Sequence, residues 1–97
     1  MIYKLGRIIE HYGELNQHEK AKEELQELKE AIDDYIELPT PESRFHLIDE
    51  MADVEVMLEQ LKIMNVCRAE VAGRVLYKIN RQIERMERDG RTAGEQY

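Results

Sequence analysis

Four carboxylates, arranged as two pairs with three-residue spacing, are the side chains in this sequence best suited to chemistry. Glu24 and Glu27 form the first pair, and Glu50 and Asp53 form the second. Side chains three residues apart share a face of an α-helix, so each pair presents two carboxylates on one side. A solvated helix usually pairs such acids with Lys or Arg three or four positions later. No cation follows any of the four at those offsets, and Lys20, four residues before Glu24, has the less favourable orientation.

This pattern predicts a site for a hard divalent cation. Carboxylates without neighbouring cations repel one another when they are brought together, and a positive ion among them relieves that repulsion. Oxygen ligands favour Mg²⁺ or Mn²⁺, whereas zinc prefers Cys or His, and the sequence has one cysteine and no clustered histidines. A di-iron site would need Glu-x-x-His pairs, and no histidine has an acid three residues before it. We therefore predict Glu24, Glu27, Glu50 and Asp53 as metal ligands, with Mg²⁺ as the simplest ion and Mn²⁺ as the alternative.

Two charge stripes recur at alternating four- and three-residue spacing, an acidic one in the first half of the chain and a basic one near its end. Two solvated faces are the simpler interpretation. In the functional alternative, Lys78 and Arg81 bind substrate phosphates, because the planar guanidinium of Arg can contact phosphate oxygens bidentately. The stripes consist of Glu23, Glu27, Glu30, Asp34 and Glu37, and of Arg74, Lys78, Arg81, Arg85 and Arg88.

Four helices are predicted to position these residues. Apolar residues recur at helical spacing in four segments. The first predicted helix covers 2–12, the second ends at about residue 37, and the third and fourth cover about 41–64 and 69–89. The stripes expected to be buried are Ile2, Leu5, Ile9 and Tyr12; Ala21, Leu25, Leu28, Ile32 and Tyr35; Leu47, Met51, Val54, Leu58 and Leu61; and Val71, Val75, Ile79, Ile83 and Met86.

Particular residues mark the ends of these helices. Gly13 is expected to end the first helix, as Gly90 does the last. Asn16, with Glu19 three residues later, resembles a capping box that opens the second helix. Thr40 is predicted to cap the third helix, with Pro41 at its first position.

Together these features predict an all-α four-helix bundle formed by one domain over residues 1–97, with 91–97 as a frayed tail. A chain of 97 residues buries only a modest fraction of its surface, so we expect oligomerisation to complete the bundle. The net charge of −7 argues against a nucleic-acid polymer or an anionic membrane as the main partner. With no apolar run of membrane-spanning length and no signal peptide, the chain is expected to be cytoplasmic.

The acidic pattern resembles the motif of the MazG-like all-α nucleoside triphosphate pyrophosphohydrolases. The resemblance is carried by Glu23-Glu24-x-x-Glu27, a gap of 22 residues, and Glu50-x-x-Asp53. The surrounding segments 22–32 and 50–54 agree with it. Segments 11–17 and 77–85 are similar to the short, single-domain type found in phages and low-GC bacteria. The similarity covers nearly the whole chain.

The resemblance implies a MazG-like bundle that hydrolyses a nucleoside triphosphate, in ribo, deoxy or non-standard form, to its monophosphate and pyrophosphate. It implies that Glu24, Glu27, Glu50 and Asp53 hold the metal and that Glu23 is an auxiliary acid that orients water. It also implies a homodimer or homotetramer. Aromatic candidates for stacking on the base are Tyr12, Tyr35, Phe45 and Tyr77, although each is more often a core or rim residue.

Two other functions remain open from the residues alone. A non-catalytic acidic bundle that binds a nucleotide or a protein partner would explain the apolar seam and the charge stripes, but not four unpaired acids on shared helical faces. A nucleic-acid regulator that uses the basic stripe would conflict with the net acidity.

Overall fold

The computed structural model describes residues 2–90, and this part of the chain is all-α. It contains α1 (Ile2–Tyr12), α2 (Glu14–Glu37), α3 (Pro41–Met64) and α4 (Arg68–Asp89). No strand occurs within residues 2–90. The predicted fold class and number of helices are therefore confirmed. The predicted frayed tail, 91–97, lies outside the described residues.

The chain divides into two compact units, one ending at Val66 and one beginning at Cys67. The first contains α1, α2 and α3, and the second contains α4. A single domain over 1–97 stays a prediction, as does completion of the bundle by oligomerisation. Within residues 2–90, no helix combines the length and apolarity that crossing a membrane requires.

Helices α2 and α3 form an antiparallel hairpin, which is the main packing unit of the first half of the chain. The side-chain amide of Gln17, near the start of α2, donates to Gln60 Oε1, near the end of α3, at 2.7 Å. Helix α1 packs on both members of this hairpin and buries Leu5 and Ile9. The buried apolar residues of the described chain are Leu5, Ile9, Ala21, Ala31, Val54 and Met57.

The buried faces of α2 and α3 differ from the predicted apolar stripes. On α2, Ala21 is buried as predicted, but Leu25 is 49% exposed while its neighbour Glu24 is buried. On α3, Val54 is buried, but Met51 and Leu58 are 45% and 43% exposed. The predicted stripes were partly wrong because polar residues occupy the packed face: Gln17, Glu24, Glu50 and Gln60 are all buried.

Helix α4 also departs from its predicted burial. None of its residues is buried, and the predicted stripe residues Val75, Ile79, Ile83 and Met86 are half-exposed. Within α4, the Arg74 guanidinium forms a cation–π contact with Tyr77 and lies 4.6 Å from the centroid of its ring. Gly90 ends α4 in the left-handed conformation, with its N–H bonded to Met86, as predicted.

Gly13 separates α1 from α2 by a single residue. Its N–H donates to the Ile9 carbonyl at 2.8 Å, which ends α1, and its φ of 92° suits glycine. The predicted capping box at Asn16 is wrong, because α2 already begins at Glu14. The amide of Asn16 instead donates to the Tyr12 carbonyl at 2.8 Å.

The start of α3 has the cap that the sequence predicts. Thr40 Oγ1 accepts a hydrogen bond from the Ser43 backbone N–H at 3.1 Å, and Ser43 Oγ accepts one from the Thr40 N–H at 2.9 Å. Pro41 occupies the first helical position. This reciprocal capping box satisfies two backbone donors that the helix itself leaves unpaired. It therefore fixes where α3 starts and the register of the acidic residues that follow.

Replacing Thr40 with Ala is expected to lower the free energy of unfolding by about 1 kcal/mol, because the Ser43 N–H loses its acceptor. In a domain of this size, that corresponds to a melting temperature lower by about 4–8 °C. Urea unfolding followed by circular dichroism measures the change. Thr40→Ser keeps the hydroxyl and should recover most of the stability. A Thr40→Ser protein as unstable as Thr40→Ala would rule out the hydroxyl as the source.

Candidate metal centre

Three of the four predicted metal ligands meet between α2 and α3. One carboxylate oxygen from each of Glu24, Glu27 and Glu50 lies within 4.8 Å of the others. Glu24 and Glu27 share a face of α2, and Glu50 comes from the buried face of α3. The antiparallel hairpin thus brings together acids that are 23 to 26 positions apart in the sequence. We call these residues, with Asp49 and Asp53, the acidic cluster.

Asp53 joins the cluster through Glu50. Oxygens of Asp49, Glu50 and Asp53 form a second group within 4.8 Å, so Glu50 belongs to both groups. Asp49 was not predicted. Its position four residues before Asp53, on the same face of α3, is the sequence signal that would have suggested it. Asp49 and Asp53 are exposed, whereas Glu50 is buried.

Glu24 and Glu50 are the unusual members of the cluster. Their side chains are each only 10% exposed. The Oε2 atoms of both are buried and, within the described part of the chain, accept no hydrogen bond. Burying a carboxylate oxygen without a partner is costly, and native proteins seldom keep such groups without a reason. A cation or a hydrogen-bond donor placed beside these two oxygens would therefore stabilise the folded chain.

Lys20 is a cation that contacts the cluster through Glu24. Its ammonium group lies 3.3 Å from Glu24 Oε1 and 3.4 Å from Glu23 Oε2. The hydrogen bond to Glu24, with a further one to Glu23, raises the pKa of Lys20. Lys20 therefore stays charged at neutral pH, but it leaves Glu24 Oε2 without a partner. Because Lys20 is exposed, this contact contributes little to stability.

Glu23 and His46 lie next to residues of the cluster but belong to neither carboxylate group. Glu23, the predicted auxiliary acid, is exposed, and its contact within the described chain is with Lys20. His46 Nδ1 lies 3.9 Å from Glu50 Oε1, which is too long for a hydrogen bond and is an ion pair only when the imidazole is protonated. His46 is itself exposed.

The predicted phosphate-binding residues Lys78 and Arg81 lie on α4, in the second unit. Arg81 and Arg74 both place their guanidinium groups near the Tyr77 ring, Arg81 at 5.6 Å from its centroid. A role of Lys78 and Arg81 toward a substrate stays a prediction. Of the aromatic candidates for base stacking, Tyr12 and Phe45 are exposed in the first unit, at 57% and 70%.

The residues of the acidic cluster fit a hard divalent cation. They offer only carboxylate oxygens, which are the ligands that Mg²⁺ and Mn²⁺ prefer. The buried, unpartnered oxygens of Glu24 and Glu50 supply ligand positions that the protein does not otherwise satisfy. The side chains of Glu27 and Asp53 are exposed, so the cluster is accessible from solvent.

Comparison with models of protein families, with curated proteins and with solved structures finds no match to this chain.

Proposed function

We propose that this protein is a Mg²⁺-dependent, MazG-like nucleoside triphosphate pyrophosphohydrolase. The observation that carries the proposal is the meeting of Glu24, Glu27 and Glu50 across the α2–α3 hairpin, with two of their oxygens buried and unpartnered. The spacing of these acids and of Asp53 resembles the motif of that family. Mn²⁺ is the alternative ion, and a homodimer or homotetramer is the proposed assembly.

In the proposed reaction, the oxygen of a water molecule bonds to the α-phosphorus of the nucleotide. The bond between that phosphorus and the oxygen bridging to the β-phosphate breaks, so pyrophosphate leaves and a nucleoside monophosphate remains. Mg²⁺ bound at the cluster supplies charge neutralisation of the phosphates and a lowered pKa for the attacking water. Phosphoryl transfer requires little beyond such positioning and charge stabilisation.

The chain's own residues have separate tasks in this proposal. Glu24, Glu27, Glu50 and Asp53 hold the metal. Glu23 is the auxiliary acid that orients the water and accepts its proton; its carboxylate is exposed and contacts Lys20. Lys78 and Arg81 bind the phosphates of the substrate.

The test is a product assay in water enriched in ¹⁸O. The purified protein, with Mg²⁺, is incubated with canonical and modified ribo- and deoxynucleoside triphosphates, and the products are identified by mass spectrometry. We expect monophosphate and pyrophosphate, with the label in the monophosphate because the water attacks the α-phosphorus. Label in the pyrophosphate would place the attack at the β-phosphorus and contradict the proposed reaction.

Asp53→Asn is the matched variant for this assay, because it keeps the size of the side chain and removes one ligand charge. Its turnover should be lost for every substrate. Turnover that survives in Asp53→Asn would point to a contaminating enzyme or to a different site. No turnover by the wild-type protein across the whole panel, with metal still bound, would instead favour the non-catalytic alternative, an acidic helical protein that binds a nucleotide or a protein partner.

A further inference from the structure

A cavity of about 580 Å³ lies among α1, α2 and α3, beside the acidic cluster. Its volume is within the range of about 300–1,000 Å³ that is typical of small-molecule sites. Tyr12 of α1, Asn16 and Gln17 of α2, and Gln60 of α3 line it. So do Lys20 and Glu23, which contact each other, and Lys20 also contacts Glu24 of the cluster.

The residues that line the cavity and those of the acidic cluster follow one another along α2 and α3. On α2, Gln17, Lys20 and Glu24 follow at three and four residues, so their side chains share a face. On α3, Glu50 and Met57 are two turns apart on one face, and Met57 lines the cavity. Gln17 precedes Glu24 by seven residues, which is about 10 Å along the helix axis. A ligand with an anionic end at the cluster would therefore extend its other end into the cavity.

The floor of the cavity contains a polar pair that is unusual for a protein core. Gln17 and Gln60 are 6% and 1% exposed, and they hydrogen-bond each other at 2.7 Å. That bond uses one N–H of the Gln17 amide and orients the group. It leaves Gln17 with its Oε1 acceptor and its second N–H, the donor and acceptor combination with which Gln pairs bidentately with the edge of a base.

Tyr12 supplies the apolar surface that a planar ligand needs. It lines the cavity and is 57% exposed, so its ring remains available for contact. Stacking on an aromatic side chain is tolerant of base identity, because every base has a π face. The cavity therefore combines an aromatic surface, an oriented amide and a neighbouring cluster suited to metal-bound phosphates.

We propose that this cavity receives the base of the nucleotide whose phosphates the acidic cluster holds through Mg²⁺. Tyr12 stacks on the base, Gln17 hydrogen-bonds its edge, and Gln60 is a positioning residue that orients the Gln17 amide. This inference rests on the proposed function. It adds a binding site for the base to the proposed binding site for the phosphates.

The test compares a nucleotide with a ligand that has phosphates and no base. The probes are α,β-methylene deoxynucleoside triphosphates, which resist cleavage at the proposed bond, and inorganic tripolyphosphate, each titrated calorimetrically with Mg²⁺ present. Tyr12→Ala should weaken nucleotide binding about tenfold, since stacking on an aromatic side chain accounts for an effect of that order. Its tripolyphosphate binding should stay within about twofold. Tyr3→Ala, a change at a 76% exposed tyrosine of the same helix, is the matched control and should alter neither.

The Gln pair is tested by replacing both residues at once. Either single substitution leaves a buried amide unpartnered, whereas the double variant Gln17→Leu/Gln60→Leu removes donor and acceptor together, which proteins tolerate far better. Its circular dichroism and melting curve verify the fold. Nucleotide binding should weaken about tenfold, as expected for a lost bidentate contact, with tripolyphosphate binding unchanged.

The outcomes separate this inference from the proposed function. Wild-type protein that binds tripolyphosphate and nucleotides equally well, with Tyr12→Ala without effect, would overturn the base site alone. Wild-type protein that binds neither probe in the presence of Mg²⁺ would overturn both proposals. Equal losses for both probes in Tyr12→Ala or the double variant would assign these residues to maintaining the fold.

Discussion

Replacing Glu50 with Gln is expected to lower Mg²⁺-dependent turnover by more than about a hundredfold. Replacing a residue that only supports a metal ligand typically lowers metal affinity or activity about 10–100-fold. Glu50 is itself a proposed ligand, so we expect a larger loss. It also belongs to both carboxylate groups of the cluster, so its loss affects the contacts of Glu24, Glu27, Asp49 and Asp53 together. Steady-state release of pyrophosphate at saturating Mg²⁺ measures the effect.

Glu55→Gln is the control for this variant. Glu55 is an exposed acid on the same helix and is a member of neither carboxylate group. The substitution removes the same charge and should leave turnover within about twofold, in line with ordinary surface changes. If Glu50→Gln retains most of the wild-type turnover, the metal does not bind where we propose. Equal losses in both variants would indicate a general effect of net charge.

The second large expected effect is that adding Mg²⁺ reverses which of two proteins, the wild type or Glu24→Gln, has the larger free energy of unfolding. Without metal, Glu24→Gln is expected to be more stable than the wild type by about 1–2 kcal/mol, because a buried charge with an unpartnered oxygen becomes a neutral amide. With Mg²⁺ at a hundred times its dissociation constant, the wild type should gain about 2.7 kcal/mol, because the ion binds only the folded state. Glu24→Gln should gain little, so the order of stabilities should invert.

Urea unfolding with EDTA and with saturating Mg²⁺ measures both halves of this prediction. Glu30→Gln, an exposed acid on α2 outside the cluster, is the control and should follow the wild type under both conditions. A Glu24→Gln protein that is less stable than the wild type without metal would show that Glu24 is satisfied in the folded chain. Equal gains from Mg²⁺ in Glu24→Gln and the wild type would exclude this carboxylate as a ligand.

Much of the fold could be predicted because local signals set the helix ends. Gly13, the Thr40–Pro41 pair and Gly90 act through backbone conformation and nearby hydrogen bonds, which depend only on neighbouring residues. The capping box proposed at Asn16 failed for a related reason. Gly13 ends α1, and α2 begins directly after it, so Asn16 was already inside the helix.

The meeting of the acids could be predicted, but the packed faces could not. Same-face pairs on consecutive helices joined by a short break converge when those helices form a hairpin, as Glu24, Glu27 and Glu50 do. Apolar periodicity then misassigned the buried side of α2, because it favoured Leu25 over Glu24. Periodicity detects where apolar residues recur, and it cannot recognise a packed face that contains carboxylates and amides.

The hairpin also has a consequence for how the protein folds. Both halves of the acidic cluster, and the Gln17–Gln60 pair, lie within one hairpin whose helices are joined by only three residues. Closing that connection brings all of these groups together, so no distant chain segment has to be recruited first. These contacts join residues 23 to 43 positions apart, so they form when the two helices pair along their length. The repulsion among the carboxylates therefore arises as soon as the hairpin closes, and a cation that binds at that stage would stabilise the nascent hairpin as well as the finished protein.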